Sequence, residues 1–409
     1  MNSPTGPTPL AGVRVLDLSK ILAGPYATMS LADLGADVTK IEHPEGGDPT
    51  RSWGPPFVGV DAAYYLAINR GKKSVTIDLK STEGQEIIHR MLEETDVVVE
   101  NFKPGSGLQK IFDYQALSER YPHLITLHIS AFGEEGPLRD EPGYDMIAQA
   151  AGGLMSLTGE QGGAPMKSGF ALGDLGAALF GLVGVLAALV ERGRTGRGQY
   201  VTTSLYECQL AMHVNWATSY FATGERPTAL GSGHPNLAPY QAFPASDGYF
   251  VVAVGNDAMW ASLCEAIGRS ELVTDPRFAH NRDRVENRES LERELTSAFA
   301  SETVEHWCAL LAERAVPVSP IRHLDEIYSD PHTAALGMVG TVDHPTLGPL
   351  KQVAFPVNFS GQRPRLTSAP PVLGADNDEV LGTAQASPLN AGGVLSSRQP
   401  MASASVVRS

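Results

Sequence analysis

Cysteine is scarce: the 409-residue chain has three, Cys208, Cys264 and Cys308. They stand far apart and form no ligand or redox pair, which excludes a disulfide framework and a structural zinc site. The histidines do not pair at metal spacing either, so no metal is expected. An odd, scattered set of thiols suggests a reducing compartment, and a cytoplasmic location is the expectation. Basic residues are outnumbered, 31 Lys and Arg against 46 Asp and Glu, for a net charge of −15. Nucleic acid and an anionic membrane surface are therefore not expected partners. The start, MNSPTGPTPLAG, lacks a basic n-region and an apolar core, so no signal peptide is expected. Also absent are G-x-G-x-x-G, G-x-x-x-x-G-K-[ST] and G-x-S-x-G. With them go the dinucleotide fingerprint, the P-loop and the hydrolase elbow. The single membrane-span candidate, after Asp174, is about 15 residues long and holds three glycines, short of the roughly 20 a span needs. A buried core helix is expected there.

What is present reads as a globular α/β protein. Hydrophobic residues make up 42% and charged residues 19%, and the length predicts two domains. VRVLDL, GPYATMSLADLG and ADVTKIE follow one another as strand, helix and strand, a βαβ unit that predicts a parallel, doubly wound sheet. KSVTIDL, VVVENF, LITLHISAF and GQYVTTSL continue the strands. STEGQEIIHRMLEETD predicts a helix opening on a Thr82–Gln85 capping box. Residues 1–9 read as a flexible arm, 10–222 as the large domain, and the Gly/Pro-rich stretch 223–237 as a linker into a small domain ending near 330. NRDRVENRESLERELTSAF predicts one amphipathic helix with a solvated charged face. Residues 384–409 have small polar composition without periodicity, which predicts disorder.

Two features carry candidate chemistry. The first is GFALGDLGAALFGLVGVLAAL, in which Asp174 is the lone charge at the head of an apolar helix. It reads either as a helix cap or as a nucleophile kept ionised by the helix-end dipole. The second is a set of basic residues in loops near strand ends, Lys20, His43, Arg70, Lys72, Lys73, Lys80, Lys103, Lys110 and Arg139. In open α/β sheets ligands bind at those ends, so a phosphorylated ligand fits an otherwise acidic chain. Glu42 ends the second strand, where a ribose-binding acid would sit.

LAGVRVLDLSKILAGPYATMSLADLGADVTKIEHPEGGDPTR, NRGKKSVTIDLKSTEGQEII, VENFKPG, GYDMIAQAAGGLM, GDLG and RTGRGQYV together resemble the class III CoA-transferases, the family of formyl-CoA and carnitine CoA-transferases. The resemblance runs from about Leu10 to Leu381, in family order. It implies a Rossmann-like large domain built from both chain ends, with 331–383 returning to it, a smaller α+β domain, and an interlocked, ring-like homodimer. It also implies that Asp174, of the G-D-x-G block, attacks an acyl-CoA thioester, passing through an aspartyl anhydride and an aspartyl-CoA thioester. No permanently bound cofactor is implied; the CoA thioester is a substrate. The positions matching the family's CoA contacts are Leu22, Ala23, His43, Lys80, Asn101, Phe102 and Lys103. Tyr144 matches the tyrosine near the thioester. Leu22 stands where formyl-CoA transferase has Gln, and Gln109 where it has Arg, with Lys110 as the replacement cation. The glycine-rich oxalate loop is replaced by GSGHPNLAPYQAF. That region resembles transferases using succinyl-CoA and dicarboxylate or hydroxy-acid acceptors, for which Arg51, His213 and His234 are candidate carboxylate binders. Two alternatives stay open: a 2-methylacyl-CoA racemase, whose GHDIN histidine is here Tyr144, a poor base at neutral pH, and a CoA-binding subunit of a heteromeric transferase.

Overall fold

A computed structural model describes residues 6–382, which divide into two compact units. The first takes 6–145, 173–208 and 337–382, and the second 146–172 and 209–336. Segments 146–172 and 209–222, expected in the large domain, thus belong to the second unit. The Gly/Pro-rich stretch 223–237 lies inside that unit rather than at its border. Helices at Asp145–Ala151 and Leu205–Met212 run across the divisions without a linker, so composition gives no sign of them. The expected tail and residues 1–5 of the expected arm lie outside the described residues.

The first unit is built on six parallel strands: β1 (Arg14–Asp17), β2 (Asp37–Glu42), β3 (Lys72–Thr76), β4 (Val97–Glu100), β5 (Ile125–Ser130) and β6 (Tyr200–Ser204). Their order is β3-β2-β1-β4-β5-β6, with Val15 opposite Val38 on one side and Val97 on the other. Every residue of β4 and β5 is buried. Such continuous runs rather than alternation mark a sheet covered on both faces. The direction of the winding reverses between β1 and β4, and the crevice at the carboxyl ends of strands beside such a reversal is where α/β sheets take their ligands.

Helix α1 (Ala23–Asp33) follows β1 and α2 (Thr82–Leu92) follows β3. The cap of α2 is Ser81, whose hydroxyl accepts from the Gly84 N–H at 2.9 Å, not Thr82. Helix α3 (Leu172–Thr195) is 24 residues long. It is long and apolar enough to cross a membrane, which corrects the length argument. One face nevertheless packs on the sheet: a Cβ on Gly181 would lie 3.0 Å from Leu127 of β5, and one on Gly184 would lie 2.5 Å from Val201 of β6. Its other face leaves Leu179, Phe180, Val183 and Val190 exposed. Residues Val339–His344 and Gly348–Val353 form an antiparallel hairpin in the same unit.

The second unit holds a three-stranded antiparallel sheet of Tyr240–Pro244, Tyr249–Ala253 and Val318–Pro320. Its core collects Phe243, Phe250, Trp260, Phe278, Phe299 and Trp307. The helix expected over 281–299 is two, Asn281–Glu286 and Arg288–Phe299. Arg284, expected on a solvated face, is fully buried. It donates to the carbonyls of Ala238 and Phe278 and pairs with Asp257 at 2.8 Å.

Candidate active site

The residues after β1 form a turn whose backbone is held almost atom by atom. Asp17 accepts from the Ser19 N–H at 3.0 Å and from the Ser19 hydroxyl. Asn101, just past β4, accepts from the Lys20 N–H at 2.9 Å and donates to the Lys20 carbonyl at 2.8 Å. One amide side chain thus ties together the two strand ends where the sheet reverses. Next in the turn, Ile21 sits at φ +72°, a left-handed conformation that β-branched residues avoid. Helix α1 then opens at Leu22 with no side-chain cap.

This turn forms one wall of a cavity of about 290 Å³. Ile21 and Ala23 line it with Asn101, Phe102, Lys103, Ser130, Tyr144 and Asp174. The Asn101–Phe102 wall is held by Glu100, which accepts from the Phe102 N–H at 2.7 Å and pairs with His128 Nδ1 at 2.5 Å. Burial acts to lower the His128 pKa, but Glu100 outweighs it and raises it.

Asp174 is the third residue of α3 and is half-buried. It does not cap the helix. Asp145 does, accepting from the Gly173 N–H at 2.8 Å and more distantly from the Asp174 N–H at 3.4 Å. Among the described residues no hydrogen bond or ion pair reaches the Asp174 carboxylate. Its pKa is pushed up to about 7 by burial and then by the charge of Asp145. The helix-end dipole, expected to keep it ionised, is thus not the dominant influence: loss of water and a like charge outweigh it. The Gly173 amide, being taken by Asp145, is not free to bind an oxyanion. The Tyr64 phenol belongs to the same electrostatic neighbourhood. It is raised to about 12 by burial and then by Asp174 and Asp145.

Of the sequence candidates, Ala23, Asn101, Phe102, Lys103, Tyr144 and Asp174 meet at this cavity. Leu22 is buried in the same turn. His43, Lys80 and Lys110 are exposed and lie outside the cavity lining. His213 and His234 belong to the second unit. The His234 ring accepts from the Asn236 N–H at 3.1 Å, and His213 Nε2 is buried without a partner among the described residues.

Arg51 is not a carboxylate receptor for substrate. Its guanidinium is buried and engages both oxygens of Glu42 at 2.8 Å, Asp61 at 3.0 Å and the Tyr65 hydroxyl at 2.6 Å. Glu42 is thereby a structural acid. Of the basic residues grouped as a phosphate cluster, two are likewise buried structural cations and a third is paired at the surface. Arg70 pairs with Asp33, Lys72 with Asp17, and Lys73 with Asp37 and Glu379. Asp145 and Glu100 were missed, although both stand inside the quoted blocks GYDMI and VENF. Their types signalled chemistry; only geometry shows which backbone amide each one holds. Among the described residues no group of three or more His, Cys, Asp or Glu could hold a metal ion.

The model of CoA-transferase family III matches residues 10–377. Succinyl-CoA:glutarate CoA-transferase of Mus musculus is 37% identical over 91% of this chain and 86% of its own length. Succinyl-CoA:mesaconate CoA-transferase of Haloarcula hispanica is 41% identical over 92% and 96%. The solved structure of a CAIB/BAIF family protein from Brucella suis superposes with a TM-score of 0.81 at 41% identity, covering 92% of this chain and 99% of that one.

Proposed function

The chain belongs to CoA-transferase family III, and from that premise we propose that it moves CoA from succinyl-CoA to a dicarboxylic acid, with Asp174 as the covalent nucleophile. The observation that carries this reading is the state of Asp174: a half-buried carboxylate without a partner among the described residues, in a cavity at the sheet's reversal point. A carboxylate whose pKa is raised to about 7 is more basic than a free one yet ionised above neutrality, which suits a nucleophile. The named relatives use succinyl-CoA with glutarate or mesaconate, which supports a dicarboxylate acceptor.

The sequence of bonds is as follows. An Asp174 oxygen adds to the thioester carbonyl and expels CoA thiolate, leaving an aspartyl–acyl anhydride. The thiolate adds to the aspartyl carbonyl and expels the donor carboxylate, leaving an aspartyl-CoA thioester. The acceptor carboxylate then adds to the aspartyl carbonyl of that thioester, the second exchange run backwards, forming its own anhydride with Asp174 and freeing the thiolate. The thiolate then takes the acceptor's acyl carbon, and the Asp174 carboxylate is restored. Splitting one exchange into four acyl transfers lowers each barrier, and a thiolate kept in place reacts at high effective concentration.

The first-turn amide of Ala23, which lines the cavity, would stabilise the oxyanions, in place of the occupied Gly173 amide. Asn101, Phe102, Lys103 and Tyr144 would hold the pantetheine end of CoA, and Leu22 would pack beside it. His43, Lys80 and Lys110, exposed outside the lining, would meet its phosphates. The exposed apolar stripe of α3 supports assembly as a homodimer, for which light scattering should give a dimer mass that does not change on dilution. For the activity itself, succinyl-CoA is mixed with glutarate or mesaconate and the acyl-CoAs are separated by chromatography. The expected result is a new acyl-CoA formed as succinyl-CoA disappears, without ATP. Failure with every dicarboxylate tried would remove the acceptor class from this account.

A further inference from the structure

The turn after β1 holds a strained residue directly at the cavity. Ile21 lies at φ +72° and lines the same cavity as Asp174. Such strain persists only where surrounding structure enforces it. Beneath the turn are two side chains without surface exposure to speak of, Lys40 and Asp48, paired at 2.9 Å. Lys40 Nζ donates to the Ser19 carbonyl at 2.8 Å. Asp48 Oδ1 accepts from the Ile21 N–H at 3.4 Å, and is itself anchored by the Thr50 N–H at 2.9 Å and the Thr50 hydroxyl at 2.8 Å. The pair thus takes hold of the turn on both sides of Lys20, whose own amide and carbonyl are held by Asn101.

We propose that the buried Lys40–Asp48 pair is a positioning clamp, which keeps Ile21 in its left-handed conformation and so sets the cavity wall that shares space with Asp174. A buried ion pair adds little net stability over apolar residues of the same size. Its value here is geometric: two opposite charges meet a carbonyl and an amide two residues apart in one turn. Neither side chain reaches the cavity, and both act through the backbone. The inference rests on Asp174 being the reacting group.

The test uses the full chain. Asp48→Ala removes the oxygen that accepts from the Ile21 N–H together with the Lys40 partner, and should lower kcat per folded enzyme tenfold or more, with KM for succinyl-CoA moving less than threefold. Ile21→Gly supplies a residue that takes positive φ without strain. In that background, adding Asp48→Ala should cost threefold or less. Asp61→Asn cuts an Arg51 ion pair in the neighbouring buried cluster without touching the turn, and should keep kcat within twofold. All assays are run well below each variant's unfolding midpoint. Hydrogen exchange of the peptide spanning 18–23 needs no turnover: it should be slow in the native protein and at least tenfold faster in Asp48→Ala, but not in Asp61→Asn. Equal kcat losses in the two Ile21 backgrounds, or an Asp61→Asn loss matching Asp48→Ala, would overturn the clamp. Should Asp48→Ala not fold, fast exchange of 18–23 in the native protein would overturn it alone. A clamp that fails in exchange while CoA transfer persists separates this inference from the functional reading beneath it.

Discussion

Asp17 and Asp174 are two aspartates of one compact unit, treated in opposite ways. Asp17 is fully buried, and burial alone would raise its pKa. Lys40 at 3.9 Å, Lys72 at 2.9 Å and the hydroxyls of Ser19 and Thr28 more than offset that and hold it well below the usual range. Asp174 is less buried, yet its pKa rises, because among the described residues no cation or donor answers burial and Asp145 adds a like charge. Depth does not separate the two; partners do. A carboxylate satisfied on every side braces a turn, and one left unsatisfied beside a cavity keeps its reactivity. Lys72 shows the reverse side of the structural cluster: burial brings it down to about 8 despite Asp17.

The contrast is sharpest in Asp174→Asn. Activity should fall by about 10⁴-fold or more, as for loss of a covalent nucleophile. Stability should move the other way. The folded pKa of about 7 lies above the ordinary 3.8, so this group favours the fold below that ordinary value and loses the contribution as pH rises to 7. At pH 8 the native protein carries the full penalty, and the variant should gain on the order of 2 kcal/mol, a figure reduced for partial solvent screening. Urea unfolding at pH 8 reads this gain, and a less stable variant would break the comparison.

Arg51→Ala should cost about 3–5 kcal/mol, because it strands Glu42 and Asp61 as buried charges. KM for the acceptor should stay within twofold for the protein that remains folded. A rise in acceptor KM with intact stability would return Arg51 to the substrate.

Asp145→Asn keeps the oxygen that caps α3 and removes the charge beside Asp174. The native kcat/KM should rise with pH through about 7, since the attacking carboxylate must be ionised. In the variant that limb should move lower by up to about one pH unit. The smallest effect belongs to Asp145→Ala, which also loses the cap and should give up about 1 kcal/mol more stability than Asp145→Asn.

Much of this was legible in the chain. The strands of the first unit stood out as apolar runs, and Asp174 as an isolated charge on an apolar helix. The partners were not legible. Lys72 and Arg70 read as ligand-facing cations because a sequence does not show that Asp17 and Asp33 wait across the fold. Arg284 hid on a helix whose other charges do face solvent. Ile21 carries no mark of its left-handed backbone, since the residue type argues against it. Such features arise from pairings distant in sequence, Arg70 with Asp33 or Lys40 with Asp48, where local pattern is silent. The division into units was hidden for the same reason: helices continue across it, and alternation records which segments are regular, not which sheet they join.

The most direct test of the central claim is peptide mass spectrometry after mixing the protein with succinyl-CoA and hydroxylamine. Hydroxylamine converts an activated aspartyl carbonyl to a hydroxamate. The account expects a hydroxamate on Asp174 that requires the acyl-CoA and is missing from Asp174→Asn. Turnover of succinyl-CoA with Asp174 unmodified, or a hydroxamate on another carboxylate, would contradict it.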